Sequence, residues 1–511
     1  MDKLGGTVLA PPPSEKREGS RPRAVVIGSG FGGIASAIRL QARGYDVDLL
    51  EMRDQPGGRA YVYRQDGFTF DAGPTIVTAP FLIDELFALG GHRTEDYVKI
   101  VPCSPFYRIV FHDGRVFNYT GDEAEIIEQI RRFNPDDVPG YLRFVERSRA
   151  IFDRAFTDLA DQPFTRLWDM LKVAPDLVRL QSHKTVYQFV SKFIKDEALR
   201  QVFSFHPLLI GGSPFQSSSI YSMIHYLERK WGVHFAMGGT GAIVTGLLKM
   251  FAEMGGRLHL NSRVEEIELS ADGAASGVRV ADGQRFPAEV VVSNGDVANT
   301  YRKLLPASAR RKWTDRRLER MSYSMGLFVI YFGTDRTYPN LAHHTIILTE
   351  RYKELLHDIF NRKELAGDFS LYLHAPTRTD ATLAPPGGEC FYVLSPVPNL
   401  LGKIDWNAVK EQYADAILAS LEIPEVCPDL RKHIVTKRIM TPLDFETDLD
   451  AFRGSAFQFE PVLTQSAWFR PHNVSEDVRG LYFAGAGTHP GAGLPGVLSS
   501  AKLLDRVIPA R

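Results

Sequence analysis

Cysteine is scarce in this chain of 511 residues: Cys103, Cys390 and Cys427 stand far apart, with no CxxC pair. That spacing argues against a disulfide framework and a thiolate zinc motif, and makes the cytosol the default compartment. An excess of one charge is also lacking. Lys and Arg number 60 against 61 Asp and Glu, so the basic surplus that general nucleic-acid binding needs is missing. No uncharged apolar run reaches the roughly 18 residues of a membrane span. The nearest, residues 481–500, is broken by five glycines and two prolines and reads as loops. Residues 1–22 hold Pro11, Pro12 and Pro13 but no apolar stretch ahead of a cleavage site. They read as a disordered tail, and no secretory signal is expected.

What is present is ordinary globular composition, 44% hydrophobic and 24% charged. Extended disorder, collagen and coiled coil are excluded for most of the chain. At about 150 residues per domain, the length suggests about three domains' worth of chain, or two interleaved domains.

Order begins at Arg23. Ala24-Val25-Val26-Ile27 has the form of a strand buried on both faces, and Gly28-Ser29-Gly30-Phe31-Gly32-Gly33 follows directly. A helix-forming run from Ile34 to Leu40, a stop at Gly44 and a second strand over 47–50 complete a β–α–β unit ending at Glu51. In such a unit Gly28 serves the tight turn, Gly30 the close approach of a pyrophosphate, and Gly33 the packing of helix on strand. The helix N-terminus offers free N–H groups to the phosphates, and Glu51 can accept hydrogen bonds from ribose hydroxyls.

Arg53, then Gly57-Gly58-Arg59 and Phe68–Pro74, favour a ligand longer than a nicotinamide dinucleotide. FAD continues past its pyrophosphate into a ribityl chain and ring, which need further close backbone approach. From Gly238 the dinucleotide-binding pattern resumes: a helix through Phe251, short strands, and a buried strand ending at Asn294. Residues 323–398 read as the strands 327–332, 344–348, 369–373 and 391–394 of a second domain's sheet. Near the C-terminus a strand leads through Gly485, Gly487, Thr488 and further glycines into a helix from about Pro495. That helix N-terminus can stabilise negative charge on a flavin ring.

The expected fold is α/β: a Rossmann-like, doubly wound FAD-binding domain interleaved with a mixed α+β substrate domain. Residues 23–110, 231–322 and 446–511 are assigned to the first. Residues 111–230 are assigned to a helical substrate and membrane-contact region, and 323–445 to the substrate-domain sheet.

Several motifs together carry a family resemblance: Gly28–Gly33, Gly57-Gly58-Arg59-Ala60-Tyr61, Phe70-Asp71-Ala72-Gly73-Pro74-Thr75, Phe203-Ser204-Phe205-His206, Trp231-Gly232-Val233, Gln465–Asn473 and the Gly480–Ser500 segment. With them the chain, from about residue 24 to 503, resembles the bacterial-type carotenoid (phytoene) desaturases of the amine-oxidase-like flavoprotein superfamily. The run Gly485-Ala486-Gly487-Thr488-His489-Pro490-Gly491-Ala492-Gly493 is its most selective part. The resemblance implies bound FAD, a backbone contact from Val264 to the adenine, and successive dehydrogenation of 15-cis-phytoene to lycopene or neurosporene. It also implies peripheral attachment to the inner membrane from the cytoplasmic side, with oxygen or a quinone as electron acceptor. A flavin amine oxidase or protoporphyrinogen oxidase is the alternative, and a carotenoid- or lipid-binding protein without activity is a third.

Desaturation of a hydrocarbon without an acidic proton calls for hydride transfer from an allylic carbon to flavin N5, then loss of the neighbouring proton to a base. Asp169, a carboxylate in an apolar and aromatic segment, is the first candidate for that base, with His206 the alternative. His343, His344 and His374 lack an acid at ligand spacing, and no metal is expected. A C40 hydrocarbon must be taken from the bilayer, because each buried CH₂ is worth about 0.8 kcal/mol. Two stretches are candidates for the docking face: residues 164–194, with Trp168 as anchor, and the basic residues 302–320, with Trp313.

Overall fold

The unbroken burial of side chains along residues 24–26 and 290–293 suits strands covered on both faces, and these strands lie side by side. In the computed structural model, which describes residues 21–158 and 161–510, five parallel strands form one sheet. Their order is Leu481–Phe483, Val290–Ser293, Arg23–Ile27, Asp46–Leu50 and Arg257–His259. Ala24, Val26, Val47, Leu49 and Val292 face helices Phe31–Ala42, Thr240–Glu253 and Leu494–Val507. Val25, Leu50 and Val291 face a three-stranded antiparallel meander made of Val264–Leu269, Ala275–Val280 and Arg285–Pro287. This is the doubly wound arrangement expected, with its strands drawn from three separate parts of the chain. Residues 1–20 of the expected tail lie outside the described residues.

The second sheet has seven strands in the order Ile434–Met440, Gly326–Thr334, Glu389–Val397, Leu371–His374, His344–Leu348, Tyr107–Phe111 and Val116–Tyr119. His344–Leu348 runs parallel to Tyr107–Phe111, and the other neighbours are antiparallel. One face carries helix Trp406–Ser420, packed on Phe328, Leu373 and Val393. The other, with Tyr107, Leu327, Val329 and Ile346, turns toward the helical region.

Two expectations differ here. The boundary placed after residue 110 cuts strand Tyr107–Phe111, which belongs to the second sheet. The helical region expected from residue 111 also begins later, after strand Val116–Tyr119. Phe117 and Tyr119 are both fully buried on one face of a strand. Helix Glu123–Phe133 starts only after Asp122, whose carboxylate accepts the Ala124 and Glu125 N–H groups as its N-cap.

Candidate active site

The turn between strand Arg23–Ile27 and helix Phe31–Ala42 is tight because Gly33 has no side chain. A Cβ there would lie 1.9 Å from the Gly28 carbonyl oxygen. With the helix drawn onto the strand, its N-terminal N–H groups open into a cavity of about 770 Å³. Gly28, Gly30, Glu51, Gly57, Gly58, Arg59, Val264 and Gly485 all line that cavity, together with the N-terminus of helix Leu494–Val507. It continues without interruption to the second sheet, where Leu208, Ile224, Leu327, Ile346, Leu394 and Phe445 form an apolar chamber.

At the nucleotide end Glu51 is buried. Its Oε2 accepts hydrogen bonds from the Ser29 N–H at 3.0 Å and the Ser29 hydroxyl at 2.5 Å, and its Oε1 accepts the Arg53 N–H at 3.0 Å. The carboxylate is thus fixed at the end of its strand, beside the cavity.

Further in, Arg59 donates weakly to the Ser455 carbonyl, at 3.5 Å, while its Nε has no hydrogen-bond partner among the described residues. Burial lowers the Arg59 pKa, and the opposing charge of Asp296 partly offsets that. Asp296 caps helix Val297–Leu304 through the Asn299 N–H, and burial raises its pKa to about 6. An unpaired guanidinium nitrogen, two helix N-termini and a run of glycines around one crevice are the donor set a dinucleotide pyrophosphate requires. These residues fit FAD.

Three expected cofactor contacts are placed differently. Gly33 acts one layer behind the cavity, through the packing described above. Gly487 also lies outside the lining: a Cβ there would fall 1.9 Å from Gln458 Oε1, so it makes room for that side chain. Thr488 is fully buried and donates its hydroxyl to the Pro471 carbonyl at 2.7 Å, away from the cavity.

The two expected bases are also displaced. Asp169 is the third residue of helix Leu167–Arg179, where it accepts the Arg166 N–H at 3.2 Å in a capping box. The cavity is lined instead by Met170, Val173 and Leu177, one narrow stripe of that helix. His206 is buried behind the wall, with its Nε2 3.1 Å from Glu228 Oε2. Glu228, which the sequence reading passed over, does line the apolar chamber. Its Oε1 accepts the Tyr107 hydroxyl at 2.7 Å, and burial, reinforced by this carboxylate, raises the Tyr107 pKa far above its usual value.

Of the two docking stretches, helix Leu167–Arg179 presents Leu167, Trp168, Leu171 and Val178 outward, 49%, 63%, 52% and 69% exposed. Residues 302–320 make a different surface. Trp313 is 1% exposed, and its indole N–H donates to Glu476 at 2.6 Å, so it is no interfacial anchor. Arg302, Arg310 and Lys312 are paired with Asp315, Glu319 or Glu476, which neutralises much of the basic run.

Compared with known proteins, residues 31–503 match the flavin containing amine oxidoreductase family. The chain belongs to that family. It is 54% identical to a lycopene-forming phytoene desaturase of Pseudescherichia vulneris, over 94% of this chain and 97% of that one. It is 52% identical to the lycopene-forming phytoene desaturase of Pantoea ananas, over 93% and 97%. It is 44% identical to the neurosporene-forming phytoene desaturase of Rhodobacter capsulatus, over 95% and 94%. Among solved structures, a double mutant of putrescine oxidase superposes with a TM-score of 0.64 at 14% identity, over 96% of this chain and 99% of that one. An oxidoreductase from Methanosarcina mazei gives 0.63 at 18%, over 95% and 100%. At such identities these two speak for the fold alone. The family is one of flavoproteins, with FAD as the cofactor.

Proposed function

We propose that this protein is an FAD-dependent phytoene desaturase that dehydrogenates 15-cis-phytoene stepwise to lycopene or neurosporene. The observation that carries the reading is the single cavity running from the dinucleotide cradle into an aliphatic and aromatic chamber. Bound FAD supplies the two-electron acceptor for the hydrogen leaving an allylic carbon. The protein's own part is to hold a long hydrocarbon in line and to manage charge in a dry site. Leu208, Ile224, Leu327, Ile346 and Leu394 exclude water and offer only dispersion contacts. Glu228 is the carboxylate in that chamber, held by Tyr107 and His206. It stabilises positive charge developing on the polyene and accepts the proton from the adjacent carbon. Arg59, Glu51 and the glycines around them bind the cofactor.

The substrate enters from a lipid leaflet beneath helix Leu167–Arg179. Its inner stripe lines the cavity and its outer face carries Trp168 and Val178. Among the described residues no helix is long and apolar enough to cross a membrane. Attachment is therefore proposed as peripheral, at the cytoplasmic face of the inner membrane, and electrons pass on to oxygen or a membrane quinone.

Expression in a phytoene-accumulating bacterium tests this reading. A coloured polyene is expected. Persisting colourless phytoene with flavin-loaded protein in the cell, or peroxide release from amines instead, would refute it.

A further inference from the structure

The antiparallel pairing of strands His344–Leu348 and Leu371–His374 sets His344 opposite His374. His343 directly precedes the first of these strands, and Cys103 directly follows strand Ile100–Pro102. The Cys103 sulfur and one ring nitrogen each of His343 and His344 lie within 4.8 Å of one another. His343 Nε2 is also 3.1 Å from His374 Nε2. All four side chains are buried. Their separation along the chain hides any ligand motif: the seven-stranded sheet brings the histidines together, and the end of the separate strand Ile100–Pro102 delivers Cys103 to them.

The hydrogen bonds around the group leave particular atoms free. His343 Nδ1 is 2.6 Å from the Thr379 hydroxyl, and His344 Nδ1 is 2.7 Å from the Tyr372 hydroxyl. With Nδ1–H donated to those oxygens, each Nε2 carries a lone pair. Among the described residues, the fully buried His344 Nε2 has no hydrogen-bond partner. A histidine tied at one nitrogen by an oxygen and free at the other is the usual disposition of a metal ligand.

We propose that Cys103, His343, His344 and His374 bind a thiophilic transition-metal ion of the zinc class. In a tetrahedral site with metal–nitrogen bonds of about 2.05 Å, neighbouring nitrogens sit roughly 3.3 Å apart, close to the His343–His374 separation. Cys103 and His344, whose ligand atoms lie within 4.8 Å of those of His343, supply the remaining ligands, drawn closer by the ion while His344 keeps its Nδ1 contact to Tyr372. Binding converts the Cys103 thiol to a thiolate, and its proton leaves to solvent. A dication and one thiolate leave a net positive charge. Tyr107 stands between the site and Glu228: its ring lies 6.0 Å from the His344 ring, and its hydroxyl donates to Glu228. The ion clips the segment after strand Ile100–Pro102 to the second sheet. Through His344 it fixes Tyr372, a wall residue of the cavity that is hydrogen-bonded to Thr75. Its role is thus to position the chamber wall, independently of which hydrocarbon the chamber holds.

The test uses full-length, flavin-loaded protein without a histidine tag, produced in zinc-supplemented medium and dialysed against a chelator. Elemental analysis is expected to find roughly one zinc per chain, falling to a tenth or less in the Cys103→Ser/His344→Gln double variant with its flavin content retained. Protein produced with Co²⁺ instead should show the ligand-field bands of a tetrahedral centre, at longer wavelength than the flavin. X-ray absorption should find one sulfur in the metal's first shell. Wild-type protein with less than about a tenth of an ion per chain, or a bound ion with no sulfur neighbour, would overturn the proposal. If the double variant does not accumulate, the sulfur reading on wild-type protein decides alone.

Discussion

Glu228 and His206 meet 3.1 Å apart behind and within one wall of the cavity, neither more than 2% exposed. Glu228 lines the chamber, and His206 and Tyr107 both contact its carboxylate. Replacing Glu228 by Gln keeps the shape and most of the hydrogen bonding but removes the charge. Turnover of phytoene should fall by about a hundredfold, in the range of lost acid–base catalysis, with flavin content unchanged. His206→Gln should cost less, since the carboxylate remains. Wild-type turnover in Glu228→Gln would remove this residue from the reaction.

At the other end of the cavity, Glu51 accepts three hydrogen bonds from its own chain and still faces the crevice. Glu51→Ala loses a charged acceptor for the ribose and leaves the Ser29 N–H without its partner. Charged hydrogen bonds contribute about 1.5–3 kcal/mol each, so FAD affinity should weaken roughly ten- to a hundredfold. Flavin absorbance of the purified protein and titration of the flavin-free form measure this. An unchanged dissociation constant would contradict the placement of the ribose at Glu51.

How far each feature was legible follows from the range of the contacts behind it. The β–α–β unit is local, and its glycines, strands and acid stand in register within about thirty residues. Four strands of the second sheet were legible in the sequence, while Tyr107–Phe111, Val116–Tyr119 and Ile434–Met440 were not, and the order rests on pairings such as Ile346 with Ile109, which no local pattern records. Asp169 was misjudged because an acid at the start of an amphipathic helix has two explanations, and capping is the one realised. Glu228 was missed because Arg229 and Lys230 follow it and suggest a solvated turn. The signal was its place on one face with Met223, Ile224 and Leu227, all cavity-lining. The His343–His374 contact needs two strands paired before it exists.

Helix Leu167–Arg179 has opposite faces with separate tasks, so its outer face can be altered without touching the cavity. Trp168→Ser with Val178→Ser removes the two most exposed apolar side chains of that helix. Each fully buried side chain of this size is worth about 1.5–3 kcal/mol, so partial insertion of both predicts a ten- to hundredfold loss of binding to lipid vesicles. Flavin content should stay at the wild-type level, and phytoene presented in vesicles should be converted more slowly. Vesicle binding equal to wild type would move the docking face elsewhere.

Glu460 makes stability depend on pH in a direction opposite to that of a salt-bridged carboxylate. Its side chain is buried, which raises its pKa from 4.5 to about 7, and the nearby Lys363 only partly offsets the burial. Between these two values the folded chain holds a proton that the unfolded chain has released. Raising the pH through that window therefore costs stability, and above about 7 the loss is complete. A shift of this size corresponds to about 3 kcal/mol at most, at 1.36 kcal/mol per unit. Glu460→Gln stays neutral at every pH, so it should match wild type near pH 4.5 and exceed it at pH 8. Chemical denaturation of both proteins at the two pH values gives the comparison directly. Parallel stability profiles would show that the Glu460 carboxylate is solvated in the folded protein and titrates there as it does in the unfolded chain.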